Sequence, residues 1–311
     1  MVSPLDPARP LDLAGAVELA VVERDGVIES RHLGAAVLVD GDGGIVEALG
    51  DPAALIYPRS AAKPLQATAV LGTGLRLEGE ELVLAAASHA GTPAHVAVVQ
   101  RMLASAGLDE NALRCPADWP FDSGSRTAAV ERRRITMNCS GKHAAFLAAA
   151  VHGGWSTEDY LDPAHPVQAA IAATVTELAG EPVAHWGVDG CLAPTPVLSL
   201  TGLARAISRV VTSGSPLPAA MRAHPWAVDG PGFENAVTIE LTGVLAKVGA
   251  EGVLVLATDD GHAVAVKTLD GAGRARTPVG LELLVRAGLL ERDRADAVGA
   301  SVGDPGIRVA F

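Results

Sequence analysis

Two sets of short β-prone runs stand near opposite ends of this chain, and Ala-rich segments with helical spacing fill the interval between them. The first set comprises Val17 to Val22, Ile28 to Arg31, Ala35 to Val39 and Ile45 to Leu49, split by the turns Asp25-Gly26 and Gly41-Asp42-Gly43-Gly44. The second comprises Val253 to Ala257, the turn Asp259-Asp260-Gly261, and His262 to Leu269. Apolar runs separated by Asp-Gly and Gly-rich turns are hairpin signals. Helical spacing recurs at about 62–73, 93–106, 141–152, 166–179, 196–212 and 217–223, and a last helix at about 278–290 closes the chain. Strands, then helices, then strands again predict an α+β fold in which one antiparallel sheet is assembled from both ends around a helical subdomain. The expected layout is a single domain over 1–311, with the sheet from about 16–50 and 243–270 and the helices from about 60–225. The polar stretch Thr212 to Pro218 is expected to be a loop, not a domain boundary.

Of the 311 residues, 49% are hydrophobic and only 3% aromatic, so the core must be filled by Ala, Val and Leu. A formal charge of −12 leaves no basic stripe for a phosphate backbone, and Arg132-Arg133-Arg134 is expected to be a solvated loop. No nucleic-acid partner is therefore expected. No apolar run approaches the roughly 20 residues that a membrane helix needs, and Met1 to Pro7 lacks the charged and apolar regions of a secretory signal. The expectation is a cytoplasmic protein without a membrane partner. Three cysteines are too few, and odd in number, for a disulfide framework, which leaves buried thiols or metal thiolates.

Four lysines, Lys63, Lys142, Lys247 and Lys267, stand against twenty arginines. A guanidinium stays charged in proteins, whereas an ammonium loses its proton when desolvated or crowded by another cation, so Lys suits places where a base or an amine ligand is wanted. In Arg59-Ser60-Ala61-Ala62-Lys63 the Ser and the Lys fall on one side of a helical turn, where a neutral Lys63 could take the Ser60 proton. Pro64 lacks an N–H and fits only a first helical turn, which puts Ser60 and Lys63 on the turn that opens the helix.

Ser88, in Ala87-Ser88-His89, precedes a helix that Thr92 is expected to cap. Lys267, at a strand end, could serve Ser88 as Lys63 serves Ser60. Lys247 lies in Lys247-Val248-Gly249. A Lys-Thr-Gly there would match the third element of the penicillin-recognising serine enzymes, whose first element is Ser-x-x-Lys, but Val248 breaks the match and Glu251 is expected to pair with Lys247 across the turn. Cys139 and Lys142 lie three apart in a Gly-containing turn, and Cys191 follows Asp189-Gly190. Two thiols and a nitrogen make a Zn²⁺ site. Spacing alone selects His143 as that nitrogen, and the alternative is a pair of buried thiols with no metal. Cys115 has no donor at metal spacing and is assigned to structure.

The blocks Val27-Ile28-Glu29-Ser30-Arg31-His32, Arg59 to Gln66, Ala87-Ser88-His89, Asn138-Cys139-Ser140-Gly141-Lys142-His143, Asp189-Gly190-Cys191, Ala223-His224-Pro225, Lys247 to Gly252, and Lys267 with Asp270-Gly271 occur in one order across nearly the whole chain. In that order they resemble the bacterial L-asparaginase II family typified by the inducible, thermolabile rhizobial enzyme. The resemblance implies a fold similar to serine β-lactamases and glutaminases, two Ser-Lys pairs (Ser60 with Lys63, Ser88 with Lys267), a Zn²⁺ held by Cys139, Lys142 and Cys191, and a homodimer.

The expected activity is hydrolysis of the side-chain amide of free L-asparagine to L-aspartate and ammonia through an acyl-enzyme on serine, with Ser60 as nucleophile, Lys63 as its base and Ser88 with Lys267 as proton relay, or with the roles of the two pairs exchanged. Arg59 and Asp189 are the expected charge partners for the substrate's α-carboxylate and α-amino ends. Two alternatives stay open: another serine acyl hydrolase of the same fold, glutaminase or β-lactamase-like, and a non-catalytic zinc-binding protein. The chain departs from the family's habit at Thr92, Leu192-Ala193 and Val248, and none of these is an expected nucleophile, base or ligand.

Overall fold

A computed structural model describes residues 9–311. Met1 to Pro7, the segment without secretory-signal features, lies outside the described residues. The chain opens with β1 (Val17–Arg24), β2 (Val27–Val39), β3 (Ile45–Leu49) and β4 (Leu55–Ile56). A 3-10 turn, Arg59–Ala62, then leads into α1 (Lys63–Gly72), α2 (Gly79–Ala86), α3 (Pro93–Ser105), α4 (Ser123–Ala128), α5 (Ser140–His152) and α6 (Pro166–Ala179). After β5 (His185–Val188) and β6 (Pro194–Ser199) come α7 (Leu200–Thr212), α8 (Leu217–Ala223) and α9 (Glu234–Thr242). The last elements are β7 (Leu245–Gly249), β8 (Val253–Ala257), β9 (Ala263–Thr268), α10 (Arg276–Arg286), α11 (Arg292–Val302) and β10 (Ile307–Val309).

The main sheet runs β10-β1-β2-β9-β8-β7, with β3 also on β2, and its neighbours are antiparallel. Both chain ends build it, as the strand pattern predicted: β2 lies beside β9 with Ala35 opposite Lys267 and Val37 opposite Ala265. The fold is α+β. A smaller sheet, β4-β6-β5, stands apart. All five residues of β8 are buried, so both faces of the main sheet are covered. Leu254 and Leu256 meet α10 at Gly280, and alternation along the strand turns Val253, Val255 and Ala257 the other way, where α7 packs. The core is Ala, Val and Leu almost throughout, with Phe146 and Tyr160 the large aromatic exceptions.

Three expectations need correction. The helix expected over 196–212 begins at Leu200, because Pro194 and Pro196 lack N–H groups and push their predecessors into extended backbone, so Pro194–Ser199 is strand β6 and Ser199 caps α7. The helix expected over 278–290 ends at Arg286 and does not close the chain: α11 and β10 follow, and β10 adds an outer strand to β1. The two expected strands around Ile28 and Ala35 are one strand of 13 residues. Among the described residues no helix is long and apolar enough to cross a membrane.

Candidate active site

Ser88 sits where α2 gives way to extended chain. Ala87 leaves the helix with extended backbone, and the next residues run between two other segments: Ser88 N donates to Val228 O at 2.9 Å, His89 N to Asn138 O at 3.1 Å and Ala90 N to Asp229 O at 2.7 Å. Two lysines converge on the Ser88 hydroxyl. Lys63 Nζ lies 2.9 Å from Ser88 Oγ and donates to Ala87 O at 2.6 Å. Lys247 Nζ lies 3.1 Å from the same Oγ and donates to Val248 O at 2.8 Å. Both lysine side chains are buried. Burial and the neighbouring Lys63 charge bring the Lys247 ammonium down to about 7, against the opposing pull of Asp229 and Cys139.

This pairing corrects the sequence reading twice. Among the described residues no hydrogen bond joins Lys63 Nζ to Ser60, because Lys63 runs inward from the start of α1 to the carbonyl and hydroxyl at the end of α2. Nor does Lys267 serve Ser88: at the end of β9 its ammonium donates to Glu251 O, in the turn between β7 and β8, at 2.7 Å and to Thr268 O at 2.5 Å. Lys247 takes that place instead. Its expected pairing with Glu251 fails because Lys247 points into the core while Glu251 is exposed in the turn beyond β7. The signal in the sequence was the Lys-x-Gly itself, on a strand just ahead of the last hairpin. Its Gly249 is needed where β7 meets the 3-10 turn of Ser60, since a Cβ there would stand 2.5 Å from Pro58 O.

Ser60 occupies that 3-10 turn, partly exposed, ahead of α1 with Pro64 in the first helical turn as expected. Its predecessor Arg59 holds φ 51°, left-handed for a non-glycine residue, and Leu192 across the site holds φ 70°. Such backbone costs on the order of 1–3 kcal/mol and persists where surrounding contacts impose it. Here the contact is an ion pair: Arg59 Nε and Nη2 reach Asp189 Oδ1 at 2.9 and 2.8 Å. The two residues expected to bind opposite ends of a substrate therefore hold one another.

Cys139, Lys142 and Cys191 also come together. Cys139 precedes the first turn of α5, which lies close to α2 because Gly141 has no Cβ to meet Leu84 O at 2.5 Å. Lys142 Nζ is 3.2 Å from Cys191 Sγ, and the Cys139 thiol donates to Asn138 Oδ1 at 3.2 Å. The neighbouring Cys139 thiol, with the Lys142 charge, holds Cys191 far below the usual thiol range, while the Cys191 sulfur and burial push Cys139 well above it. Burial works against the Lys142 ammonium, but the two sulfurs outweigh it and raise its affinity for the proton.

His143, the donor that spacing would have selected, is a buried neighbour with Nδ1 2.7 Å from Tyr160 Oη. Its Nε2 has no partner at hydrogen-bonding geometry, although it faces the Cys191 sulfur. Among the described residues no group of three or more His, Cys, Asp and Glu is placed to hold a metal ion. A set of two sulfurs and one amine is of another kind, and it would offer donors to Zn²⁺ once the thiols and the amine give up their protons. Cys115 is buried elsewhere, its thiol against Arg134 O.

The sequence model of the L-asparaginase II family matches residues 20–306. No curated protein matches the chain in sequence. Among solved structures, Mglu in its glutamate form is similar at 13% identity and a TM-score of 0.47, over 82% of this chain and 61% of that one. A candidate beta-lactamase from Bacteroides dorei DSM 17855 is similar at 14% identity and a TM-score of 0.46, over 81% of this chain and 92% of that one. The chain thus spans about three fifths of the length of Mglu.

Proposed function

The chain belongs to the L-asparaginase II family, and we propose that it is an L-asparaginase that releases ammonia from free L-asparagine through an acyl-enzyme on Ser60. The observation that carries this reading is the buried pair of amines, Lys63 and Lys247, on the one hydroxyl of Ser88. With Lys247 neutral, a proton can pass along a line: Ser60 gives its proton to Lys63 as Lys63 gives one to Ser88, and Ser88 gives its own to Lys247. Each group ends with the valence it needs, and the Ser60 oxygen is freed to attack the amide carbon. The Ser60 to Lys63 step closes when substrate is bound, since such contacts are often loose in a free enzyme.

Reversal of the relay delivers the proton to the departing nitrogen, which leaves as ammonia, and the ester on Ser60 is then cleaved by water with the same amines as base. Ser88 is the relay because both of its functions are engaged, one by each lysine, whereas Ser60 stands on the exposed side beside Arg59. Arg59 takes the substrate's α-carboxylate and Asp189 its α-amino group, each exchanging its ion-pair partner for the matching end of asparagine. Cys139, Lys142 and Cys191 would hold a Zn²⁺, whose open coordination position would help to anchor an oxygen of the substrate or a water beside it. The assembly is proposed to be a cytoplasmic homodimer.

Ammonia release from asparagine by the purified protein, against glutamine and nitrocefin as controls, tests the activity. Ser60→Ala should abolish it, and mass spectrometry of a quenched reaction should find the aspartyl adduct on the peptide containing Ser60. An unchanged rate in Ser60→Ala, or the adduct on Ser88, would refute the assigned nucleophile.

A further inference from the structure

Behind Lys247 lies a buried carboxylate that the relay does not use. Asp229 is 6% exposed. Its Oδ2 accepts from Asn235 N and Asn235 Nδ2, both at 2.8 Å, and its Oδ1 accepts from Ala236 N at 3.1 Å. Asn235, fully buried, completes a bridge: its Oδ1 accepts from Val248 N at 2.8 Å, on the residue after Lys247. The backbone of the same segment grips the other side of the relay, because Val228 O and Asp229 O receive the amides of Ser88 and Ala90.

One short stretch, Val228 to Asn235, therefore ties the strand that carries Lys247 to the chain that carries Ser88. A carboxylate needed only to cap α9 would be served by the exposed mouth of the helix, as Asp122 serves α4. Asp229 is instead sunk into the core, where an unpaired charge is costly, and burial raises its carboxyl to about 6. What offsets that placement is the Asn235 amide first and then a cation within electrostatic reach, Lys247.

We propose that Asp229 is a positioning residue which, through Asn235 and its own charge, fixes the Lys247 amine on Ser88 and sets the pH at which that amine becomes neutral. The proposal rests on the relay described above. The groups facing Lys247 are Lys63 at the start of α1, Cys139 ahead of α5, Arg276 on α10 and Asp229. Lys63 and Arg276 favour its neutral form, and Asp229 and Cys139 favour its charged form. Asp229 and Lys247 titrate as a pair, so each ionisation displaces the other.

Four lysines make the test direct, since selective ¹³C labelling gives four side-chain signals and Lys247→Met identifies the one that matters. In the wild type, with and without added zinc, the Lys247 signal should titrate in two steps. In Asp229→Asn one step should remain, displaced to lower pH by about one unit, as loss of a nearby opposite charge requires. The acid limb of asparagine hydrolysis should move with it.

A folded Asp229→Asn protein whose Lys247 midpoint and acid limb both stay in place would overturn the proposal and leave helix capping as the carboxylate's whole role. Should that variant fail to fold, the wild type decides, because a single-step titration of Lys247 would also overturn it. A protein that turns over no asparagine but still shows the two-step titration retains the coupling and loses only the substrate reading.

Discussion

Lys247 Nζ stands 3.1 Å from Ser88 Oγ although 159 residues separate the two along the chain. Ser88 receives Lys63 on its other side, so the hydroxyl is held between amines from a strand of the sheet and from the first residue of a helix.

Replacing Lys247 by Met should cost asparagine hydrolysis at least about 100-fold, the lower range for a general base. Lys267→Met should stay within a few fold of wild type, because that ammonium is spent on two backbone carbonyls, those of Glu251 and Thr268. Ammonia release by the two purified variants checks the contrast, and the opposite order would return Lys267 to the relay.

The pH dependence follows from the same residue. A Lys247 amine brought down to about 7 is charged below that pH and cannot accept the Ser88 proton. kcat/KM should therefore fall about tenfold per unit on the acid side of pH 7. A profile flat from pH 5.5 to 8 would remove Lys247 as the proton sink.

Function at this position should oppose stability. Because the folded protein depresses the affinity of Lys247 for its proton, the favourable contribution is present above the unfolded value of 10.5 and is lost as pH falls through about 7. At pH 7 and below, Lys247→Met should raise Tm by about 2 °C or more, and the gain should shrink toward pH 10. Calorimetry at both ends of that range reads the sign.

Arg59→Lys should raise KM for asparagine by about 10- to 100-fold with a smaller change in kcat, since a point charge cannot reproduce the two-pronged guanidinium contact. Asp189→Asn should act in the same direction. Steady-state kinetics that show a pure kcat loss would place both residues outside the binding of substrate ends.

Metal analysis of dialysed protein should find about one zinc per chain. Cys191→Ser and Lys142→Met should lose it, and Cys115→Ser should keep it, because burial pushes that remote thiol up to about 12. Equal zinc in all three variants would mean that the sulfur and amine cluster is not the site.

The boundaries of α1, α3, α5, α6 and α8 were legible, unlike α2, α4, α9 and α11, because capping and proline chemistry is local: Thr92 caps α3, and Pro64 and Pro166 sit in first turns, where their missing N–H costs nothing. β10 escaped because three residues between loops carry no periodicity of their own and become a strand only by lying on β1. Lys247 escaped for a related reason. A lysine followed by Val-Gly looks like any strand end, and its neighbour Glu251 offered an ordinary surface pairing that the fold does not make.

By itself the sequence determined that strands from both ends would share a sheet, since alternation, helical spacing and turn chemistry are written within a few residues of each other. It also determined which side chains could bear the chemistry, because scarce lysines beside Ser and Cys stand out in a chain that otherwise uses Arg. Which amine meets which hydroxyl was decided only by the packing of α1, α2 and β7 and by the Val228 to Asn235 segment that joins them. Such contacts lie within 3.1 Å in space and up to 159 residues apart in the chain, and no local pattern specifies a distance of that kind.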